Sequence, residues 1–227
     1  MTINILVSVI FLAYFCKMKK KNTFNPANRQ ARPQPDVTEL RYFALYKPYE
    51  MLSQFTDEGS KQGLKHLFEF PNDVYPVGRL DADSEGLLLL TNDNELKHKL
   101  LTPKFAHKRT YCVQVEGIPT EEALQQLRKG VEITVDGEKY MTLPADVQSI
   151  ESPEDFPERN PPVRFRAQIP TSWVEITLTE GKNRQVRRMT AAVGFPTLRL
   201  VRVRMQGLAL GKRESGEVWE INREDIS

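Results

Sequence analysis

An acidic turn that runs directly into an apolar segment is the feature that most constrains how this chain can fold. Residues 87–90 are four leucines bounded by turn residues, a pattern typical of a buried β-strand. The turn before them carries carboxylates at three alternating positions, Asp81, Asp83 and Glu85, with Arg79 just ahead of them. Because such an arrangement is costly for a turn that only needs to be soluble, it predicts a functional site beside a buried strand.

The spacing of the three acids also allows other interpretations. Followed by Gly86, they resemble the start of an EF-hand calcium loop. The twelfth position of that loop is Asn92 instead of glutamate, and both flanks predict strands rather than helices, which argues against calcium. A carboxylate pair in this turn could also act as acid and nucleophile at a glycosidic carbon. The purely structural alternative, in which the acids cap the turn, is the commonest explanation of an acidic turn.

A single aspartate of this turn could instead act as a nucleophile. A carboxylate that attacks a sugar or a pyrimidine ring must be ionised, and an adjacent guanidinium favours the ionised form. Arg187, on the basic side of a helix predicted over residues 183–193, is the kind of partner that would serve. The alternative is that Arg184, Arg187 and Arg188 all contact phosphates, an interpretation that we favour for Arg184 and Arg188.

Positive charge is concentrated in one segment of the chain. The net charge is only +2, but residues 182–213 contain nine Lys or Arg and no Asp or Glu. Such a segment is typical of a surface that binds a polyanion; the alternative is a solvated face whose counter-charges lie elsewhere. With 227 residues, 40% apolar and 27% charged, the chain is neither a membrane protein nor disordered, and we expect one catalytic unit.

Cysteine and histidine usage argues against a metal site. Cys16 and Cys112 are too few for a disulfide framework or a thiolate zinc site, which indicates a reducing compartment. The three histidines, His66, His98 and His107, have no metal-ligand spacing. We therefore expect no catalytic metal.

The first 39 residues are predicted to stand apart from the catalytic unit. Residues 3–16 are almost wholly apolar, but about 14 residues fall short of the roughly 20 that span a bilayer, and signal-peptide features are missing. We expect translation to begin at Met18, which would make residues 1–17 a start-site artefact, and residues 21–39 to form a flexible basic tail. The catalytic domain is then predicted over residues 40–227.

Hydrophobic patterning predicts an α+β fold for this domain. Strands are predicted at residues 41–48, 74–77, 87–91, 110–116, 131–135, 141–149, 163–169, 173–179, 198–205 and 218–221. Helices are predicted at residues 63–68, 93–101, 120–130 and 183–193, with an acidic loop over residues 151–162. Many strands of antiparallel type with few helices indicate a mixed, mainly antiparallel sheet with flanking helices.

Four segments resemble, in order, the motifs of one enzyme family. Residues 78–93 are similar to the signature of the pseudouridine synthases of type A, which act on small-subunit rRNA, and of types B, E and F, which act on large-subunit rRNA. Residues 45–53 resemble the opening motif, residues 109–117 the strand with the active-site tyrosine, and residues 180–189 the basic helix. The resemblance covers about residues 41–221. It implies the pseudouridine synthase catalytic fold and an isomerase that converts uridine to pseudouridine in structured RNA with neither metal nor organic cofactor.

The resemblance also implies roles for individual residues. Asp81 falls on the catalytic aspartate, whose attack at the sugar C1′ or the base C6 we leave open. Tyr111 falls on the tyrosine stacked against the target base, for which an ordinary position in a strand core is the alternative. Arg187 falls on the basic residue paired to the aspartate, and Leu200 on an apolar wall of the pocket. Arg79 would take the place of the flipped nucleotide.

Within the family, the chain is most similar to the members of type E. Most relatives carry an S4 RNA-binding domain ahead of the catalytic one, and the residues before the first motif are too few to form it. We therefore expect no S4 domain, and a bacterial, cytoplasmic enzyme of rRNA processing and ribosome biogenesis that modifies one uridine of 23S large-subunit rRNA. The RNA contacts are expected to be Arg79, Lys182, Arg184, Arg188, Arg202 and Arg204, with the basic tail.

A non-catalytic RNA-binding or ribosome-assembly protein on the same fold is the alternative function. Asp81, Tyr111 and Arg187 are all present, which favours the enzyme. We further expect a monomer that needs no small-molecule cofactor and has no stable membrane association.

Overall fold

A nine-stranded mixed sheet forms the frame of the part of the chain that the structure, a computed structural model, describes: residues 39–164, 166 and 168–226. The strands are β1 (Tyr42–Lys47), β2 (Tyr75–Pro76), β3 (Glu85–Thr91), β4 (Arg109–Glu116), β5 (Glu132–Val135), β6 (Glu138–Met141), β7 (Asp146–Ile150), β8 (Thr171–Leu178), β9 (Thr197–Met205), β10 (Leu208–Ala209) and β11 (Val218–Glu220). The α-helices are α1 (Asn94–Leu101), α2 (Glu121–Lys129) and α3 (Gln185–Ala192), and 3-10 helices lie at Leu64–His66, Pro103–Phe105 and Arg223–Ile226.

The strand order of the sheet is β11-β1-β3-β9-β4-β8-β7, with β2 on β3 and β10 on β9. β3 and β9 pair in parallel, and the other recorded pairs are antiparallel. β5 and β6 form a separate hairpin. The predicted α+β class with a mixed, mainly antiparallel sheet is confirmed. The predictions for residues 1–38, including the start at Met18 and the basic tail, lie outside the described residues.

Strand β3 is buried along its whole length because apolar side chains cover both faces of the sheet there. Leu87 and Leu89 pack into one cluster with β1 and α1. Leu88 and Leu90 pack into another cluster on the other face. Since side chains alternate along a strand, an unbroken run of leucine is what a strand covered on both faces requires.

The opposite half of the sheet packs against helices α2 and α3. Leu124 and Leu127 of α2 and Met189 of α3 share one buried cluster with Val113 of β4 and Ile176 of β8. Side-chain caps begin the first two α-helices, α1 and α2. The side chain of Asp93 accepts a hydrogen bond from the N–H of Leu96 at 2.9 Å, and that of Thr120 accepts one from Ala123 at 3.3 Å.

Two strand predictions were wrong: one predicted strand is interrupted, and the other is absent from the described residues. The strand predicted over residues 141–149 is two strands, β6 and β7, and the break between them contains Pro144, which has no N–H for a ladder. The described residues of the segment 163–169 are not in a strand. Instead the N–H of Ile169 donates to the carbonyl of Arg166 at 3.1 Å and closes a turn.

The helical predictions were also too long at two places. Helix α3 begins at Gln185 rather than at residue 183, because Arg184 has a left-handed backbone with φ of 53° that a right-handed helix cannot include. The helix predicted over residues 63–68 is the short 3-10 helix Leu64–His66. In the residues that the structure covers, no helix is both long enough and apolar enough to cross a bilayer.

Candidate active site

The acidic turn is anchored on both sides of Asp81. Leu80 is buried, its N–H donates to the hydroxyl of Ser53 at 3.0 Å, and that hydroxyl donates back to the Leu80 carbonyl at 2.8 Å. The N–H of Ser84 donates to the carbonyl of Asp81 at 3.0 Å. The turn is therefore held rigidly while the side chain of Asp81 stays 38% exposed.

A cavity of about 600 Å³ lies against this turn. Its walls come from the turn, the end of α1, strands β4 and β9, and residues 178–186. Seven of the predicted site residues line it: Arg79, Asp81, Tyr111, Lys182, Arg184, Leu200 and Arg202. The other three, Arg187, Arg188 and Arg204, are outside its lining. The fold thus brings the acidic turn and the tyrosine strand, which lie far apart in the sequence, to one cavity.

Two arginines hold Asp83, the second carboxylate of the turn. Arg184 donates to both of its carboxylate oxygens, at 3.0 and 2.7 Å. Arg187 donates to its backbone carbonyl at 2.6 Å and has Nε at 3.4 Å from its Oδ2. Burial raises the pKa of Asp83, but the Arg184 hydrogen bond and the Arg187 charge outweigh it, so the pKa is lowered overall.

The arginine partners differ from the expected pairing of Arg187 with Asp81. Arg187 contacts Asp83, and the guanidinium nearest to Asp81 is that of Arg184, with Nη1 at 3.7 Å from Oδ2. Both arginines therefore contribute positive charge near Asp81. The hydrogen bonds that these arginines donate to the acidic turn are to Asp83.

The third carboxylate belongs to the scaffold. Glu85 is buried and accepts two hydrogen bonds from Arg199, at 2.9 and 2.8 Å, while Arg199 also donates to the carbonyl of Pro157 at 2.9 Å. This pair joins β3 to β9 across their parallel contact. Of the three acids, Asp81 is therefore the one that lines the cavity.

The basic segment is not one free surface, because acids from elsewhere neutralise most of it. Five of its nine cations have carboxylate partners: Arg184, Arg187, Arg199, Lys212 and Arg213. Of the remaining four, Arg202 is only 3% exposed and lines the cavity, so its predicted contact with RNA could be made there and not with a phosphate on the outer surface. Among the described residues of this segment, the cations that have no ion pair and are not buried are Lys182, Arg188 and Arg204.

The loop before α3 is braced by the β5–β6 hairpin. The carboxylate of Glu180 accepts hydrogen bonds from the Tyr140 hydroxyl at 2.5 Å, the Leu143 N–H at 2.8 Å and the Gln185 amide at 2.6 Å. Lys182 lies over the Tyr140 ring, with Nζ at 4.5 Å from its centroid. Sequence reasoning missed Glu180 and Tyr140, because nothing local links a hairpin residue to a loop 40 positions away.

A buried lysine at the end of β1, Lys47, donates a hydrogen bond to the backbone of the acidic turn. The ammonium of Lys47 donates to the carbonyls of Pro48 and Met51, both at 2.7 Å, and to that of Ala82 in the turn at 3.3 Å. Burial lowers its pKa to about 7, although the charge of Glu85 opposes the shift. The signal for this residue in the sequence was a cation inside an aromatic and aliphatic strand.

Lys47 is expected to make stability rise with pH above neutrality. The unfolded chain keeps the Lys47 proton up to about pH 10.5 and the folded chain releases it near pH 7, so between these values the unfolded state binds more protons. The free energy of unfolding then increases with pH by up to about 1.4 kcal/mol per unit. Urea unfolding at pH 7, 8, 9 and 10 should show this slope in the wild type and a smaller one in Lys47→Met. Equal slopes would contradict the assignment.

No group of three or more His, Cys, Asp or Glu residues that could hold a metal ion occurs within residues 39–226 as far as they are described. The cavity is lined by, among others, the half-exposed carboxylate of Asp81, the phenol ring of Tyr111 and the guanidinium groups of Arg184 and Arg202.

An aspartate, an aromatic ring and several cations line one cavity on a mixed sheet, an arrangement suited to binding a nucleic-acid base. The family model for RNA pseudouridylate synthase matches residues 41–192, and the chain belongs to that family. It is an RNA pseudouridine synthase, an isomerase that converts uridine to pseudouridine. The family and the activity predicted from the motifs are confirmed.

Named relatives agree with this assignment. The ribosomal large subunit pseudouridine synthase E of Vibrio vulnificus is 52% identical over 207 residues, 90% of this chain and 83% of the relative. The synthase of the same name from Xanthomonas axonopodis is 54% identical over 161 residues, 70% of this chain and 82% of the relative. A crystal structure of a pseudouridylate synthase is 29% identical, with a TM-score of 0.66 over 83% of this chain and 73% of the other.

Proposed function

We propose that this enzyme isomerises one specific uridine of the large-subunit rRNA, and that Asp81 is its nucleophile. The observation that carries the proposal is that Asp81 alone, of the three acids in the turn, lines the cavity and is half-exposed there. Support for the substrate comes from relatives that are more than 50% identical and named for the large ribosomal subunit. We further propose that the enzyme works as a monomer in the bacterial cytoplasm.

Three residues that line the cavity have different roles in binding a flipped uridine. Tyr111 stacks against the uracil ring and Leu200 packs on its other side, which keeps water from the reacting atoms. Arg79 is exposed at the rim and takes the position that the flipped nucleotide leaves in the RNA. The ring must leave the sugar, turn and rejoin it through C5, and a cavity of about 600 Å³ has room for that turn.

Arg184 and Arg187 position the turn that carries Asp81, the proposed nucleophile. Their contacts with Asp83 hold the turn in one conformation, and the Arg184 guanidinium lies 3.7 Å from the Asp81 carboxylate. In this proposal Arg187 acts beside the aspartate as a positioning residue, through the backbone of Asp83.

Lys182, Arg188 and Arg204 are proposed to contact RNA phosphates, because, among the described residues, they are the cations of the basic segment that have no carboxylate partner and are not buried. Lys182→Ala should weaken RNA binding severalfold and lower the slope of log Kd against log salt by about 1. Filter binding between 50 and 300 mM salt measures both. Lys65→Ala removes an exposed lysine paired with Asp57 away from the cavity and serves as the matched control. An unchanged slope for Lys182→Ala would remove it from the interface.

The decisive test of the proposed function is a map of pseudouridines in rRNA from a bacterial strain that lacks the gene. One large-subunit pseudouridine should be missing, and the wild-type gene should restore it. If every large-subunit pseudouridine persists, the proposed substrate is wrong. If a gene carrying Asp81→Asn restores the missing one, the protein assists another enzyme and is not the catalyst.

A further inference from the structure

The cavity wall contains polar atoms that the protein itself leaves unused. In the part of the chain that is described, five buried side-chain nitrogen or oxygen atoms have no hydrogen-bond partner. Three of the five belong to residues that line the cavity: Ser84 Oγ, His107 Nε2 and Arg202 Nη2. Folded proteins keep few such atoms, so their concentration in one cavity indicates a wall built for a polar ligand.

Of these three residues, Arg202 has the greatest need of a hydrogen-bond acceptor because its side chain is charged. It lies on β9 opposite Tyr111 of β4 and is 3% exposed. Its Nε donates to the carbonyl of Leu87 at 2.8 Å, and Nη2 is left without a partner. Burial lowers the pKa of Arg202, whereas the charge of the Tyr111 phenol and a side-chain hydrogen bond with it oppose that shift. A guanidinium stays protonated in proteins, so Arg202 is a buried cation.

The buried charge of Arg202 is contacted by a backbone carbonyl and the Tyr111 phenol but is not paired with a carboxylate from the part of the chain that the structure covers. Within the described residues, no carboxylate oxygen lies within 4.0 Å of its guanidinium, whereas Arg199 on the same strand is paired with Glu85. A buried charge without a partner is strongly destabilising, so a position of this kind is maintained where a ligand supplies the missing acceptor.

The reaction places negative charge where such a donor would act. If the carboxylate attacks C1′, the N1–C1′ bond breaks and its electron pair is shared over N1, O2 and O4 of the uracil ring. If the carboxylate adds at C6, the electron pair of the C5–C6 double bond moves to O4. In either route a carbonyl oxygen of uracil carries charge. In the C1′ route, C5 then bonds to C1′ as the aspartate–C1′ bond breaks and the carboxylate is released. In the C6 route, the N1–C1′ bond breaks, C5 bonds to C1′, and the aspartate leaves C6. In both routes the C5 proton leaves and N1 is protonated, so that the ring ends neutral.

We propose that Arg202 is a catalytic residue whose Nη2 donates a hydrogen bond to a carbonyl oxygen of the target uracil and stabilises the negative charge on the ring. The proposal rests on the proposed use of this cavity as the uridine site. A donor fixed in a site of low dielectric stabilises developing charge more strongly than water does, and removing one such donor costs about 10²–10³-fold in rate.

The test pairs one protein group with single atoms of the substrate. Synthetic RNA containing the modified site is made with uridine, 2-thiouridine or 4-thiouridine at the target, since sulfur accepts hydrogen bonds more weakly than oxygen. Single-turnover rates are measured for the wild type, Arg202→Met and Arg202→Lys. We expect Arg202→Met to slow uridine conversion about 10²–10³-fold. One sulfur substitution should slow the wild type about tenfold and either variant less than about twofold, as in a double-mutant cycle.

The coupling between the Arg202 substitution and the sulfur substitution distinguishes a catalytic role of Arg202 from a structural one. The controls also distinguish failure of this proposal from failure of the proposed function. Arg199→Met, which removes the other buried arginine of β9, should retain the full sulfur effect in whatever fraction folds. If Arg202→Met does not fold, Arg202→Lys decides by the same coupling. Equal sulfur effects in wild type and variant would overturn the proposal, as would an Arg202→Met rate within about threefold of wild type. If the wild type makes no pseudouridine in the uridine RNA, the proposed function itself fails.

Discussion

Asp81→Asn is expected to abolish pseudouridine formation, with a loss of at least about 10⁴-fold in the single-turnover rate. The amide has the size of the carboxylate but cannot form the covalent bond that either route requires. Because Asp81 makes no hydrogen bond to Arg184 or Arg187, which instead hold Asp83, the turn should keep its shape. RNA affinity should therefore stay within about threefold of wild type. Conversion of a labelled target RNA and filter binding measure the two effects.

Asp83→Asn is the matched control, since it makes the same change two residues away. Asp83 accepts both Arg184 hydrogen bonds and does not line the cavity, so its loss should loosen the turn and lower the rate by a much smaller factor. A rate for Asp81→Asn above about one hundredth of wild type would contradict the nucleophile assignment. A larger loss for Asp83→Asn than for Asp81→Asn would move that assignment to Asp83.

Gly86→Ala is expected to destabilise the fold by more than about 3 kcal/mol. Gly86 has φ of +100°, and a Cβ atom there would lie 2.4 Å from the carbonyl oxygen of Arg202 and 2.8 Å from its nitrogen. Both are backbone atoms of the neighbouring strand, so neither can move without parting β3 from β9 at their parallel contact. Urea unfolding followed by circular dichroism gives the free energy of unfolding, and the soluble yield gives a first indication.

Gly137→Ala separates backbone strain from the collision between strands. Gly137 has φ of +87°, but nothing lies within 4 Å of an added Cβ atom, so its substitution should cost only about 1–2 kcal/mol. If the two substitutions cost the same, the close approach of β3 and β9 at Gly86 is not what requires glycine there.

Features that depend on residues close together in the chain were predictable from the sequence. Asp93 and Thr120 cap their helices through N–H groups three residues ahead, and the leucines of residues 87–90 lie in a strand covered on both faces. The strands missed or misjudged are those where local cues conflict. In the segment 141–149, apolar patterning favoured one strand, whereas Pro144 interrupts the backbone ladder.

By itself, the sequence determined the family, the α+β class, and Asp81, Tyr111 and Leu200 as residues of one cavity, because ordered motifs specify these without knowledge of distances. The tertiary structure alone decided which arginines are paired with carboxylates. Arg184 meets Asp83 across 101 positions and Arg199 meets Glu85 across 114, so no local pattern could show that these arginines are neutralised. Arg202, in an alternating basic strand, resembled a surface cation, but the strands on both sides of β9 bury it against the cavity with one donor unused.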